Sequence, residues 1–441
     1  AGSIADIQRI LREWIDQKKL KPGQWVIGWG YDDTGIEEQR HPNRDDLDAV
    51  SKDHPILLMH ISSHLMTGNS KMLEEIGVTS ETEDPEGGKI QRKPGSNEPN
   101  GVLEELAMIL VLKKLPMPTP ERAMEMMAEG LKFYAQAGIT TAQDCASGKG
   151  TLKLLEAMEQ QGKLPIDIIA WPIYKGVDDA EFDAIVSDRR KRGRLRRGGI
   201  KMTVDGSIQG YTAFLSQPYH VQPGDTQPTA DKCVTDTAEH IFVSTDTPSG
   251  SGDNPAESGE AHRGYSNMTQ EEVDTWLKRC DGANIQTQVH TNGDAATDML
   301  IKAVEKVRGD KPRPELRTTI IHAQTMREDQ LEFSAKHGLT PSFFPIHVYF
   351  WGDRHREIFL GPERAARISP SRTALNRKLK ITLHHDAPIA GIEMLTVAWS
   401  AVNRVTNSGK ELGPEHRITP FEALRAITAD AAWQNFEEDR K

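Results

Sequence analysis

Apolar runs and amphipathic stretches alternate along much of this chain, and from about residue 116 the alternation becomes regular. The strand-like runs are GITTAQD, PIDIIAWPIY, GIKMTVDGS, NIQTQVH, RTTIIHAQ, GLTPSFFPIH and LKITLHHDAP. Segments with helical spacing separate them. Thr119-Pro120 opens one whose Met124, Met127, Leu131 and Tyr134 fall on one face, and Gly138 supplies its stop. Thr269 and Glu272 stand as a capping box at the head of another. Strands alternating with helices are the signature of βαβ units and a parallel sheet. The fold class predicted is α/β, a distorted TIM (β/α)8 barrel. A closed barrel needs eight strands and these runs supply seven, so the first strand is expected to lie upstream of Ala1.

The N-terminal quarter reads differently. Residues 1–22 predict a barrel helix, with Ile4, Ile7, Leu11 and Trp14 at helical spacing behind a Ser3 cap. Residues 23–115 read as a small inserted α+β subdomain. It holds a strand and turn in QWVIGWGYDD, a β-like run in PILLMHISSH, a polar stretch rich in glycine and proline, and a helix near 101–112. Trp25, Trp29 and Tyr31 are expected to pack this insert. Residues 116–441 form the barrel, interrupted at 217–263 by a tract of Gln, Pro, Ser and Gly. A long βα loop of this kind is either a lid or specificity element, or a plain surface insertion.

Charge and cysteine content narrow the classes. Lysine and arginine number 54 against 65 acidic residues, a net charge of −11, which argues against binding of nucleic acid or an anionic membrane surface. The three cysteines, Cys145, Cys233 and Cys280, form no CxxC pair, so neither a disulfide framework nor a thiolate metal site is indicated. No apolar stretch approaches the roughly 20 residues needed to span a bilayer. The chain opens on a helix rather than on a secretory pattern, and a cytoplasmic location is expected.

Four residues carry the candidate chemistry. Lys201, His290, His322 and Asp386 lie at or near the C-terminal ends of four separate apolar runs, where parallel barrels collect their catalytic groups. Two imidazoles and a carboxylate suit a divalent ion such as zinc. An inward lysine in an apolar strand costs desolvation energy unless its charge is removed or paired. Lys201 is therefore read either as neutral and carboxylated to a metal-bridging carbamate, or as ion-paired with Asp205 or turned to the outer face. Asp386 fits a metal ligand that also accepts a proton from metal-activated water, and Pro388 after it allows a helix-capping role as well.

The strings GWGYDD, LDAVSKDHPILLMHISSHLMTGNS, NGVLEE, GITTAQD, KMTVDGS, VHTNGD, IIHAQ, LTPSFFPIHVYFWGD and HHDAPI occur in an order and spacing similar to the YtcJ-like branch of the amidohydrolase superfamily, amidohydrolase family 3. The resemblance covers nearly the whole chain. It implies a metal-dependent hydrolase of non-peptide carbon–nitrogen bonds, of amide or formamide type, with metal-bound hydroxide as nucleophile and one or two ions, zinc first. It also implies a carboxylated bridging Lys201, His290 and His322 on the second metal, and Asp386 as first-metal ligand and catalytic acid/base. His64 matches the histidine of a GH-type motif and would contact substrate, although Ser63 stands where glycine is usual. His347, with Tyr349, Phe350 and Trp351 after it, is expected either to shape the substrate pocket or to hydrogen-bond the reacting carbonyl, the aromatics otherwise packing the barrel rim, and Asp205 and Tyr211 are expected to line the substrate site. The resemblance favours a homodimer acting on a small molecule. The His-x-His of the family's first strand is absent, as is most of its terminal β-sandwich, and the expectation is a record trimmed at both ends. The alternatives are a single-metal esterase, lactonase or deaminase on the same scaffold, or a non-catalytic metal- or ligand-binding barrel.

Overall fold

The computed structural model describes residues 1–33, 35–85, 87–116, 118–188, 193–223 and 261–441. These divide near residue 117 into two units. In the first, the strands are β1 (Val26–Tyr31), β2 (Ile56–His60), β3 (Leu65–Gly68), β4 (Gly88–Arg92) and β5 (Pro99–Glu105), in the order β1-β2-β3-β5-β4. The β1–β2 pair is parallel and the other pairs are antiparallel. Ser3 caps the helix Ile4–Lys18 by accepting from the Asp6 amide. Ile7 and Leu11 of that helix bury against Val26, Leu47, Ile56 and Leu58, so the segment read from the sequence as a barrel helix packs inside this unit. Trp14, expected on the same face, is instead exposed, with Lys18 Nζ 4.7 Å from the centre of its ring. The helix expected near 101–112 is a strand through Glu105 and turns helical only afterwards. Val102 and Leu103 sit in the β3 ladder, where pairing outweighs local helix propensity.

The second unit carries the regular alternation. Its strands are β6 (Thr141–Ser147), β7 (Asp167–Pro172), β8 (Leu195–Arg197), β9 (Ile200–Thr203), β10 (Thr287–Thr291), β11 (Thr319–His322), β12 (Thr340–Phe343) and β13 (Thr382–Leu383). Every pair among them is parallel. β8 and β9 are two halves of one run, broken at Gly198-Gly199; β8 pairs with β7, and a bridge from Ile173 to Lys201 carries the edge on to β9. All seven expected strands are thus present, in chain order. The break requires glycine. A Cβ on Gly198 would sit 2.4 Å from the Trp171 ring, and one on Gly199 would sit 2.1 Å from the Gln286 carbonyl oxygen.

Helices cover this sheet as their caps predict: Thr119 caps Pro120–Gln136 and the Thr269–Glu272 box opens Gln270–Gly282. Gln143 on β6 accepts from Gln288 Nε2 on β10 at 2.7 Å, though the two strands are not neighbours in the sheet. At the opposite, amino-terminal ends of the strands lies the helix Ala429–Gln434. Gln286 donates to the Gln434 carbonyl and Arg196 to that of Asn435. The carboxyl ends are therefore left for chemistry. Of the tract 217–263, the described ends close on each other through Leu215 N to Arg263 O (2.8 Å) and Tyr219 N to His262 O (3.0 Å); residues 224–260 lie outside the described residues. No described helix is long and apolar enough to cross a membrane.

Candidate active site

His290 near the end of β10, His322 closing β11 and His384 with Asp386 just after β13 lie at the carboxyl ends of their strands, while Lys201 is the second residue of β9. The His290 and His322 rings meet edge to face at 4.6 Å. In register His322 pairs with Thr291, one step beyond His290, so strict alternation would turn the two apart. Its φ of +68° leaves strand geometry and redirects the side chain, and Asp386 is similarly placed at +53°. Non-glycine residues in this region are uncommon and gather at functional sites. His322, His384 and Asp386 each offer one ligand atom, all within 4.8 Å of one another. Two imidazoles and a carboxylate at that spacing are a donor set suited to a divalent ion.

The electrostatics agree with that chemistry. Burial holds His322 and His384 well below the ordinary histidine range, each helped by neighbouring histidines and Lys201, so both present neutral imidazole at pH 7. His384 bridges Ser342 Oγ (3.0 Å) and His322 Nδ1 (3.1 Å). Lys201 is buried, and desolvation lowers its ammonium pKa against the opposing pull of Cys145 and Asp386. Asp205 does not serve as its ion partner. It is fully buried, with Oδ1 accepting from His290 Nδ1 (3.1 Å) and the Asn292 amide (3.0 Å), and Oδ2 from the amides of Gly293 (2.7 Å) and Phe214 (3.1 Å). A proton on Nδ1 leaves His290 Nε2 unprotonated, 3.4 Å from Asn292 Nδ2, and this is the tautomer a metal needs.

The family model for the Amidohydrolase family matches residues 1–441. The chain belongs to the amidohydrolase family. It is a YtcJ-like amidohydrolase, an enzyme that hydrolyses carbon–nitrogen bonds. It is 26% identical over 422 residues to the N-substituted formamide deformylase of Arthrobacter pascens, covering 94% of this chain and 71% of that protein. It is 24% identical over 436 residues to the YtcJ amidohydrolase of Bacillus subtilis, covering 96% and 73%. Among solved structures, a metal-dependent hydrolase from Pyrococcus horikoshii OT3 matches with a TM-score of 0.69 at 20% identity, covering all of this chain and 77% of that one.

Within this amidohydrolase the other expected residues fall into distinct surroundings. Asp205, expected beside substrate, lies beneath His290 and spends its oxygens on protein donors. Tyr211 packs against Tyr219 (4.8 Å) and Phe359 (5.1 Å) in an apolar cluster. His347 is buried among Phe344 (4.2 Å), Trp351 (5.5 Å) and His355 (5.7 Å), and 6.3 Å from His322. Its Nδ1 finds no hydrogen-bond partner among the described residues, and burial drives its pKa well below the ordinary value. His64 belongs to the first unit, where its Nδ1 lies 3.0 Å from Glu105. Ser63 before it has φ +61°, the conformation that makes glycine usual there.

Sequence reasoning missed His384 and Cys145. His384 was legible in the doublet HHD, but the period-2 rule cannot say which histidine turns inward once a strand has ended. Cys145, within β6, lies near enough to Lys201 and Asp386 for their charges to act on it, and burial pushes its thiol up to about 12.

Proposed function

We propose that this amidohydrolase cleaves a non-peptide amide or formamide bond with the help of one or two divalent, zinc-like ions held by His322, His384 and Asp386 together with His290 and Lys201. The observation that carries the reading is the convergence of His322, His384 and Asp386 within ligand distance of one another just beyond β11 and β13, with both imidazoles held neutral. A divalent ion bound there supplies a Lewis acid that acidifies water and polarises the scissile carbonyl. Asp386 then takes a proton from the attacking water on its carboxylate and delivers it to the departing nitrogen. Asp205 holds His290 in its ligating tautomer, and His347 Nδ1 stands ready for a hydrogen bond to the substrate carbonyl. Lys201, disfavoured as a buried cation, is the group we assign to carboxylation and metal bridging. The hydrogen bond between Gln143 and Gln288, reaching across non-neighbouring strands, supports a sheet curled into a distorted TIM barrel.

Similarity to a formamide deformylase favours N-substituted formamides as the substrate class. The test is a product screen with zinc-loaded protein on N-substituted formamides, simple amides, lactones and aminated heterocycles. Equimolar formate and amine are expected. Ammonia or alcohol as the sole product would replace the reading with a deaminase or an esterase.

A further inference from the structure

The first unit holds a second group of metal-ligating side chains. β1 ends in Tyr31 and runs into Asp32 and Asp33, while β2 ends in His60. Asp33 Oδ1 lies 3.0 Å from His60 Nε2 and its Oδ2 lies 3.7 Å from His41 Nε2. One carboxylate oxygen of Asp32 joins Asp33 and His60 in a set of ligand atoms mutually within 4.8 Å. The His41 and His60 rings stand 5.7 Å apart, near perpendicular. Tetrahedral zinc, with bonds of about 2.0–2.1 Å, spaces its donors about 3.3 Å apart. The two measured separations on Asp33 bracket that value, and rotation of the Asp32 carboxylate would bring the fourth donor in.

The surroundings resemble those of a built site rather than a surface cluster. His60 is fully buried and Asp33 is 6% exposed. Each imidazole is held at its far nitrogen: His41 Nδ1 by Tyr31 Oη (3.1 Å), His60 Nδ1 by Ser62 Oγ (2.8 Å) and by the Ser62 amide (3.2 Å). Such outer contacts orient metal-binding histidines. With both a hydroxyl and an amide in reach of Nδ1, the His60 proton can sit on either nitrogen, so Nε2 can be freed for a cation. Two carboxylates and two imidazoles supply the oxygen and nitrogen donors that a divalent ion such as zinc takes.

We propose that Asp32, Asp33, His41 and His60 form a second divalent-cation site, zinc-like in its nitrogen and oxygen donors, which fastens the segment after β1 to the end of β2. It is separate in sequence and in donor set from the candidate active site and does not depend on the reading of that site. The test is elemental analysis of the full chain after loading with zinc(II) and dialysis, beside His60→Gln, Asp33→Asn and His41→Gln. Each variant is expected to retain one zinc fewer per chain than the unaltered protein, with an unchanged circular dichroism spectrum. Equal zinc in folded variants and unaltered protein overturns the proposal. Should the variants fail to fold, cobalt(II) added to His322→Gln/His384→Gln decides: a persisting visible absorption band supports the site, and a spectrum without one overturns it.

Discussion

Asp205 has no exposed surface, yet it collects one imidazole and three backbone amides on its two oxygens. A carboxylate is the one side chain that accepts from all four donors, since an amide would turn a donor of its own toward one of them. Asp205→Asn is therefore expected to lower kcat/KM by about 10–100-fold through a misheld His290, and to cost about 1–3 kcal/mol of stability. Steady-state kinetics with zinc affinity, and a denaturant titration, measure the two effects; unaltered zinc affinity and kinetics would remove Asp205 from the positioning of His290. At this scale the sequence was informative where a residue type is costly to bury, as with Lys201 and the strand-end histidines. It was silent on partners, because which side chain Asp205 or His384 touches depends on loops and on left-handed backbone that local pattern does not encode.

The broken strand β8–β9 shows how an element delivers a residue. Gly198 and Gly199 let the chain pass the Trp171 ring and the Gln286 carbonyl before Lys201 takes its place. Gly199→Ala forces a Cβ to within 2.1 Å of backbone, and is expected to destabilise by about 1–3 kcal/mol and to lower kcat with it. Gly176→Ala, whose Cβ would meet nothing within 4 Å, is the control and is expected to be near neutral. Thermal melts of the pair check this, and equal melting temperatures would count against the steric account. The parallel strands were legible because each is a short apolar run bounded by caps and glycines. The segment 101–112 was not, because VLEEL suits a helix locally and becomes a strand only through its partners β3 and β4.

For the whole molecule, buried histidines set the response to acid. Burial pushes His355 down to about 3 and His416 to about 4, against about 6.5 in an unfolded chain. Below pH 6.5 the unfolded state binds protons that the folded state refuses, so stability falls with falling pH, by about 1.4 kcal/mol per unit for each histidine. Denaturant titrations between pH 6.5 and 5 are expected to show that slope, and His416→Gln to lessen it; a slope unmoved by the substitution would contradict the assignment. The α/β class, the succession of seven parallel strands and family membership were all legible in the sequence. The grouping of the first helix with residues 23–116 was not, since an amphipathic face does not name the surface it will meet.

The central claim is that the groups carried by β9, β10 and β11 and by the turn after β13 use a divalent ion to hydrolyse a carbon–nitrogen bond. Its most direct test is amine release from an N-substituted formamide by the same protein before chelation, after chelation and after zinc is restored, with Asp386→Asn alongside. The account predicts turnover that vanishes with the metal, returns with zinc, and falls by at least about 100-fold in Asp386→Asn, the lower end of a general acid–base contribution. Turnover indifferent to chelation, or undiminished in Asp386→Asn, would contradict it.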